Sequence, residues 1–455
     1  MNRFPAPISV NPIHTRQQNG VTILARIAGG IAIGCAFTLV LAFGGVQPQW
    51  YLPVYGMLYA TTAAGLILAL LGRLPVQWNW IFILLLAILG LPLAQLALHT
   101  TVNPSATETG FLHLLAGACA FWLASIAATD TGFRRAWLLL MAAACGILGG
   151  WAIFQYFLFP HHIGGIVHVT TNTPMGPFVN RDDFAACIEL LFPAALALAM
   201  RPRREIAQSL AWGLAAALGF ASVVLCASRG GAIGIALELG LFWLWWRHKN
   251  RQSIASNSPQ PHTGELQADA MPSATIRQKK TASRPWSWML LAIAGLLFVY
   301  AYAAGYTHLL ARLPSTGISA QARLELDHSS LVMGIHRPVL GWGWNTWKYV
   351  YPRFANFDDG DIYNYAHSDW MQWWAESGLL GTLCLAAMAA LFLRRIRAKL
   401  RRQNQFNDFD FALIAGLTAF LLHATADFIF HIPGLLLLFT INAGMIITLH
   451  QPCNN

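Results

Sequence analysis

Twelve apolar segments, each about long enough to cross a bilayer, dictate most of what this chain can become. The hydrocarbon core holds no water, so a crossing segment must satisfy its own backbone polar groups, and a helix does so. A span needs roughly 20 mostly apolar residues. Candidates lie near 25–44, 52–72, 78–98, 111–129, 136–158, 184–200, 209–227, 230–246, 286–305, 371–393, 409–425 and 432–449. The expected fold is all-α: a polytopic transmembrane helix bundle of about 12 spans. Composition agrees, with 56% hydrophobic residues, only 11% charged ones and a mean hydropathy of +0.49. A soluble domain carries about twice that charge.

Placing the first connection outside and alternating from there leaves all but seven of the 29 Lys and Arg on one side. That side is the cytoplasm by the positive-inside rule, so both termini are expected there. The exceptions are Arg181, Arg229, Arg312, Arg323, Arg337, Lys348 and Arg353. The other cations cluster in short runs (Arg134 and Arg135; Arg201, Arg203 and Arg204; Arg394 to Arg402). This pattern is topogenic and suits anionic headgroups of membrane lipids, so the net charge of +10 gives no reason to expect nucleic acid. Six of the seven Cys fall in predicted helices and the last is Cys453, with no C-x-x-C spacing. Neither a disulfide framework nor a zinc site is implied. A polar start followed by a long apolar segment fits a retained signal anchor.

The chain divides into an N-terminal transmembrane bundle (1–246, about 8 spans), a low-complexity stretch (247–285) and a C-terminal membrane region (286–455, about 4 spans). The middle stretch has almost no large apolar residues and reads as a disordered cytoplasmic linker. An outer loop over 159–183 includes Thr170, Thr171, Asn172, Pro174, Gly176 and Pro177 and ends in PFVNRDDF. The largest outer loop, 306–370, is aromatic-rich and partly helical: Leu324, Leu331 and Ile335 recur on one side of 319–335. It is expected to fold over the helix ends and to hold a binding site. Corresponding repeated halves are missing, which weighs against an inverted-repeat transporter.

The outer cations define candidate residues. Arg229, in CASRGGAIG, is flanked by Gly230 and Gly231, which admit close approach of backbone or ligand. It could equally be a turn arginine reaching headgroups. Arg323 lies one turn before Asp327, and Arg337 stands beside Pro338. Arginines converging on one mouth would suit a diphosphate, because guanidinium binds phosphoryl oxygens in bidentate fashion. His367 sits where the aromatic loop becomes a helix in YNYAHSDWMQWWAESGLLG. The positive end of the helix dipole would keep it neutral and able to accept a proton.

Other groups read more plainly. Trp370, Trp373 and Trp374 suit an aromatic belt. His423 and Asp427, four apart, suit a structural hydrogen-bonded pair. Asp182 and Asp183 follow Asn180 and Arg181 at a helix start, where N-capping accounts for them. Glu189 and Glu238 fall inside apolar segments with no obvious cationic partner, as protonated structural groups or parts of a proton path. No carboxylate and histidine cluster is spaced like a metal site.

Several patches resemble the O-antigen ligase and polymerase superfamily of membrane glycosyltransferases. In the late outer loop they are Arg323, then Pro338, Gly341 and Gly343 in RPVLGWGWNTW, then His367, Glu376, Gly378 and Gly381 in AHSDWMQWWAESGLLG. The SRGG turn with Arg229, GPFVNRDDFA with Asn180 and Arg181, and HATADFIFHIP with His423, Asp427 and Pro433 match as well. Departures are Asp182–Asp183 where Asn-His is common, Asp327 where an aromatic is common, and Ser368 in place of Asn.

The resemblance implies a multi-pass protein of the bacterial inner membrane with a periplasmic active site. It implies transfer of a glycan from an undecaprenyl-diphosphate carrier to an acceptor hydroxyl on a lipid-A core, a growing glycan or a protein. It further implies a metal-independent, inverting reaction without cofactor. His367 and Arg323 would be catalytic, and Arg229, Arg337, Asn180 and Arg181 would bind substrate. A diphosphate is a good leaving group once neutralised, so a glycosidase-type carboxylate pair is unnecessary. The rival classes are a secondary transporter or lipid-linked flippase, with Glu189 and Glu238 as its best support, and a non-catalytic assembly subunit.

Overall fold

The computed structural model describes residues 12–74, 80–163, 167–169, 174–201, 205–256, 295, 316–356, 360, 362–401 and 407–447. The candidate span 286–305 apart from residue 295, the cluster of Thr170, Thr171 and Asn172, and residues 257–285 of the expected linker lie outside the described residues. The described chain is almost wholly helical. In order it forms α1 (Pro12–Leu41), α2 (Pro48–Leu70), α3 (Trp80–Ala97), α4 (Pro104–Ala127), α5 (Thr131–Leu158), α6 (Arg181–Ala199), α7 (Ile206–Cys226) and α8 (Arg229–Ser256). After these come α9 (Thr316–His336), α10 (Trp347–Val350), α11 (Asp369–Arg401), α12 (Asp408–His423) and α13 (Pro433–Ile447). Strands β1 (His162–Ile163) and β2 (Val167–His168) pair as a short antiparallel hairpin before α6.

Every candidate span other than 286–305 coincides with a described helix. Seven helices are long and apolar enough to cross a membrane: Gly20–Leu41 within α1, then α2, α3, α4, α5, α7 and α11. Others fall short of that test for identifiable reasons. Asp182, Asp183 and Glu189 load α6 with charge, and α12 and α13 have only 16 and 15 residues. Helix α8 runs to Ser256, so the first ten residues of the expected linker are helical.

Side-chain caps fix several helix starts. Asn103 Oδ1 accepts from Ala106 N–H at 3.1 Å, and Asp130 Oδ1 accepts from Phe133 N–H at 2.6 Å. Asn407 and Asp410 form a reciprocal capping box at α12. The last helices thread back into the first. Helix α13 packs on α4 and α1, and α12 packs on α6 and α8. Lipid gives helices no hydrophobic reason to associate, so small residues that permit close approach matter more. At Gly149 of α5 a Cβ would stand 2.8 Å from the α7 backbone at Leu218.

The bundle has two chemically different ends. At one, Asp410 is fully buried and takes Arg134 at 2.7 Å and Lys399 at 3.2 Å, while Arg26 pairs with Asp130 at 2.8 Å. The other end gathers the starts of α6, α8 and α11 and the finish of α12. A cap built from α9, the turn 337–346 and α10 covers part of it, with its own small core of Leu326, Met333, Trp342, Trp347, Val350, Tyr351, Ala366 and Ala375. The apolar stripe read on one side of α9 points outward: Leu324, Leu331 and Ile335 are exposed. Ala322, Leu326, Ser329, Ser330 and Met333 face the cap core instead.

The cap is pinned by polar bonds to the bundle. Gln95 of α3 donates to the carbonyls of Leu340 (2.6 Å) and Glu376 (2.8 Å) and accepts from Trp344 N–H (2.9 Å). The buried Glu376 carboxylate accepts from the backbone N–H groups of Asn345 (2.7 Å) and Trp347 (3.0 Å). The tryptophans read as a lipid belt serve this docking too. Trp373 meets Trp344 edge to face at 4.5 Å, and Trp374 Nε1 donates to the Leu331 carbonyl at 3.2 Å.

Gly378 kinks α11 at φ 60°, ψ −155°, and frees Leu379 N–H to bond the Pro338 carbonyl at 2.7 Å. That conformation is essentially restricted to glycine and strains other residues by about 1–3 kcal/mol. A Cβ there would also stand 2.7 Å from the Pro338 oxygen. Gly378→Ala is expected to lower the melting temperature of the purified protein in detergent and to loosen the cap. An unchanged melting curve would contradict this account of the kink.

Candidate active site

Start from the cap helix. Arg323 and Asp327 lie on one side of α9, one turn apart, and both are half-buried. Burial pushes the Asp327 carboxyl up to about 6, against the opposing pull of Arg323 and His367. Arg323 is also within electrostatic reach of Arg181 at the start of α6, as is Arg229 at the start of α8. The fold thus collects Arg181, Arg229 and Arg323 from three separate elements. Asn180 caps α6, its Oδ1 accepting from Asp182 N–H at 3.1 Å. Arg337 is engaged elsewhere: its guanidinium donates to the Thr100 carbonyl and lies 4.2 Å from the Trp342 ring centroid.

His367 precedes α11 by two residues and adopts a left-handed φ of 53°. The strain is held by its neighbours. Ala366 N–H donates to Gln372 Oε1 at 3.0 Å, and Gln372 Nε2 donates to Glu376 Oε1 at 3.0 Å. The imidazole meets Phe428 and Tyr363 edge to face at 5.0 and 6.1 Å. Its Nδ1 is buried and stands 3.5 Å from Asp427 Oδ1, an ion-pair separation without a well-formed hydrogen bond. Such contacts are often long without substrate and tighten in the reactive complex. The side chain is 30% exposed, so with Nδ1 covered the open edge of the ring is the Nε2 side.

Asp427 is the partner that the sequence did not reveal. Spacing paired it with His423, but α12 ends at His423, and the following turn carries Asp427 to His367 instead. Burial alone would raise the Asp427 carboxyl. The interaction with His367, then the charge of His423, outweigh burial and hold it below the ordinary carboxylate range. His423 Nδ1 bonds Glu189 Oε1 at 3.0 Å, which supplies a hydrogen-bonding partner that the sequence did not reveal for Glu189. Glu238 keeps both carboxyl oxygens buried without a hydrogen-bond partner among the described residues.

A second histidine–carboxylate contact lies beside the first. His431 Nδ1 bonds Asp369 Oδ1 at 2.9 Å; burial disfavours the imidazolium, but Asp369 and then Glu376 raise its proton affinity above the usual range. Tyr365 stacks on Phe428 at 4.5 Å, with its hydroxyl pushed up to about 12 by burial.

One cluster able to share a cation emerges that no spacing announced. Ligand atoms of Asp182, His423 and Asp427 lie within 4.8 Å of one another. Glu189 already engages His423 Nδ1, so only Nε2 of that ring would be left for a metal.

Residues 214–386 match the family model Wzy_C, described as O-Antigen ligase. The match, over less than half of the chain, supports the resemblance to the O-antigen ligase superfamily. No curated protein matches it significantly. The matched segment runs from α7 through most of α11 and contains Arg229, Arg323, Asp327, Arg337 and His367. Arg181, Glu189, His423 and Asp427, which complete the cluster, come from outside it. The match supports a membrane glycosyltransferase of the O-antigen ligase and polymerase type.

Proposed function

We propose that the protein moves a glycan from an undecaprenyl-diphosphate carrier to an acceptor hydroxyl at the periplasmic face of the bacterial inner membrane, with both termini cytoplasmic. The observation that carries this reading is the meeting of three arginines with an imidazole–carboxylate pair at one end of the bundle. Arg181, Arg229 and Arg323 neutralise the donor diphosphate, the electrostatic role that a metal takes in other enzymes. Arg337, spent on Thr100 and Trp342, anchors the cap.

His367 Nε2 takes the proton from the acceptor hydroxyl as its oxygen attacks the anomeric carbon. The bond from that carbon to the diphosphate oxygen breaks, and lipid diphosphate leaves with the electron pair. Asp427 faces Nδ1, fixing the ring and balancing the imidazolium that forms. Direct displacement inverts the anomeric configuration.

The test uses purified protein in liposomes with a polyprenyl-diphosphate glycan and three acceptor classes: a lipid-A core sugar, a glycan chain and a peptide hydroxyl. Expected is release of lipid diphosphate matched by a mass increase on one class, undiminished by chelator. No transfer to any class would overturn the reading. Buried Glu238 favours a transporter instead; that reading requires donor to cross the bilayer without acceptor.

A further inference from the structure

We infer that Asp327 holds a second hydroxyl of the acceptor, next to the one that attacks, so that the acceptor is a sugar with neighbouring hydroxyls rather than a peptide side chain. The inference rests on the reading of His367 above and deepens it by naming the acceptor's chemistry.

Asp327 carries an unused oxygen. Its Oδ1 is buried and has no hydrogen-bond partner among the described residues. Buried polar groups are nearly always bonded, and an exception calls for a cause. An ionised carboxylate only accepts, so what it lacks is a donor such as a hydroxyl. Arg323, one turn back on the same side of α9, forms no ion pair with it. Cation before anion is the weaker order for such a pair along a helix. The guanidinium is left for the diphosphate, and the carboxylate for a different part of the substrate.

The turn that bears Asp327 is fixed before any ligand arrives. Leu326, Ser329 and Ser330 beside it are buried against the cap. Ser330 Oγ donates to the Leu326 carbonyl at 2.7 Å and accepts from Trp347 Nε1 at 2.8 Å. Ser329 Oγ donates to the Phe354 carbonyl at 3.1 Å. A group held in place this way loses little freedom on binding.

Its surroundings fit a sugar. Asp327 is within electrostatic reach of His367. The imidazole meets the half-buried Tyr363 edge to face at 6.1 Å, and Tyr363 meets Tyr351 at 6.2 Å. Aromatic surface with a few placed polar groups matches a ligand that has both apolar and polar faces, and a sugar ring has C–H faces and hydroxyls. A serine or threonine side chain has one hydroxyl, which His367 already engages. A ring held by Asp327 through the neighbouring hydroxyl keeps its attacking oxygen at Nε2.

The experiment measures transfer by the full chain in liposomes from a polyprenyl-diphosphate glycan to three probes: a lipid-A core oligosaccharide, a glycan chain and a serine peptide. Either sugar carries the required pair of hydroxyls, and the probe that gains mass identifies the source. The sugar that accepts is then compared with its deoxy form, lacking the hydroxyl beside the new linkage. Wild type is expected to lose about 10–100-fold in acceptor kcat/KM on the deoxy form, the usual contribution of a hydrogen bond to a charged group. Asp327→Ala should lose as much on the complete acceptor and nothing further on the deoxy form. Donor KM and melting temperature should stay near wild type, and Asp327→Asn, which keeps one accepting oxygen, should recover part of the rate. The deoxy comparison in wild type needs no variant, so it decides even where a substitution fails to fold. Equal rates on the two forms in wild type, equal further losses on both in Asp327→Ala, or transfer to the peptide would overturn the inference while transfer itself stands. Failure of the base reading looks different: His367→Asn would then keep wild-type turnover on the complete acceptor.

Discussion

His367→Asn is expected to cut turnover by about 10²–10⁴-fold, the usual contribution of a positioned general base, while donor affinity stays near wild type. Asparagine is the informative replacement because the backbone at this position is left-handed, with φ 53°. Asn tolerates that region better than most residues, so the variant removes the imidazole without asking the chain to refold. Alanine would mix chemical loss with strain at the junction to α11. Steady-state transfer and a thermal melt on the same preparation check this. A variant that keeps wild-type turnover, or that loses activity only by melting, would remove His367 from the reaction.

The second large effect belongs to the arginines. Arg323→Ala and Arg229→Ala are each expected to lower turnover by about 10²–10³-fold, the range for removing one preorganised group aimed at developing charge. The loss falls on kcat if the guanidinium meets the diphosphate more strongly as it departs. Lysine restores charge but not the planar two-pronged donor, so Arg323→Lys should recover only part of the rate. Arg337→Ala is expected to behave differently. Its side chain is tied to Thr100 and Trp342, so its loss should appear as a lower melting temperature. Full turnover in Arg229→Ala and Arg323→Ala together would contradict the diphosphate assignment.

Much of this arrangement was legible in the sequence because it follows from local pattern. Apolar run length placed the helices, and the charge bias anticipated two unlike ends, with Arg134 and Lys399 at one and Arg181, Arg229 and Arg323 at the other. Capping at the start of α6 was readable because capping chemistry acts within three residues, but the capping side chain is Asn180 rather than Asp182 or Asp183. What escaped depends on partners remote in the chain. Glu189 and His423 are 234 positions apart, and His367 and Asp427 are brought together by a turn after α12. No periodicity records either contact. The stripe of Leu324, Leu331 and Ile335 shows a different limit. Hydrophobic spacing finds an apolar face but does not say whether protein or surroundings cover it, and here the inward face is built of Ala, Ser, Leu and Met. Span number was blurred for a related reason: α6 buries Asp183 and Glu189 inside protein, so its composition no longer looks like that of a lipid-facing helix.

The central claim is that guanidinium groups hold the lipid diphosphate while His367 activates the acceptor. It is tested most directly by single-turnover transfer from donor pre-bound to wild type and to His367→Asn, with bound donor quantified in each sample. The account predicts equal donor occupancy and a transfer step slowed by about 10²–10⁴-fold in the variant. Equal transfer rates, or a variant that fails only because it no longer holds donor, would contradict it.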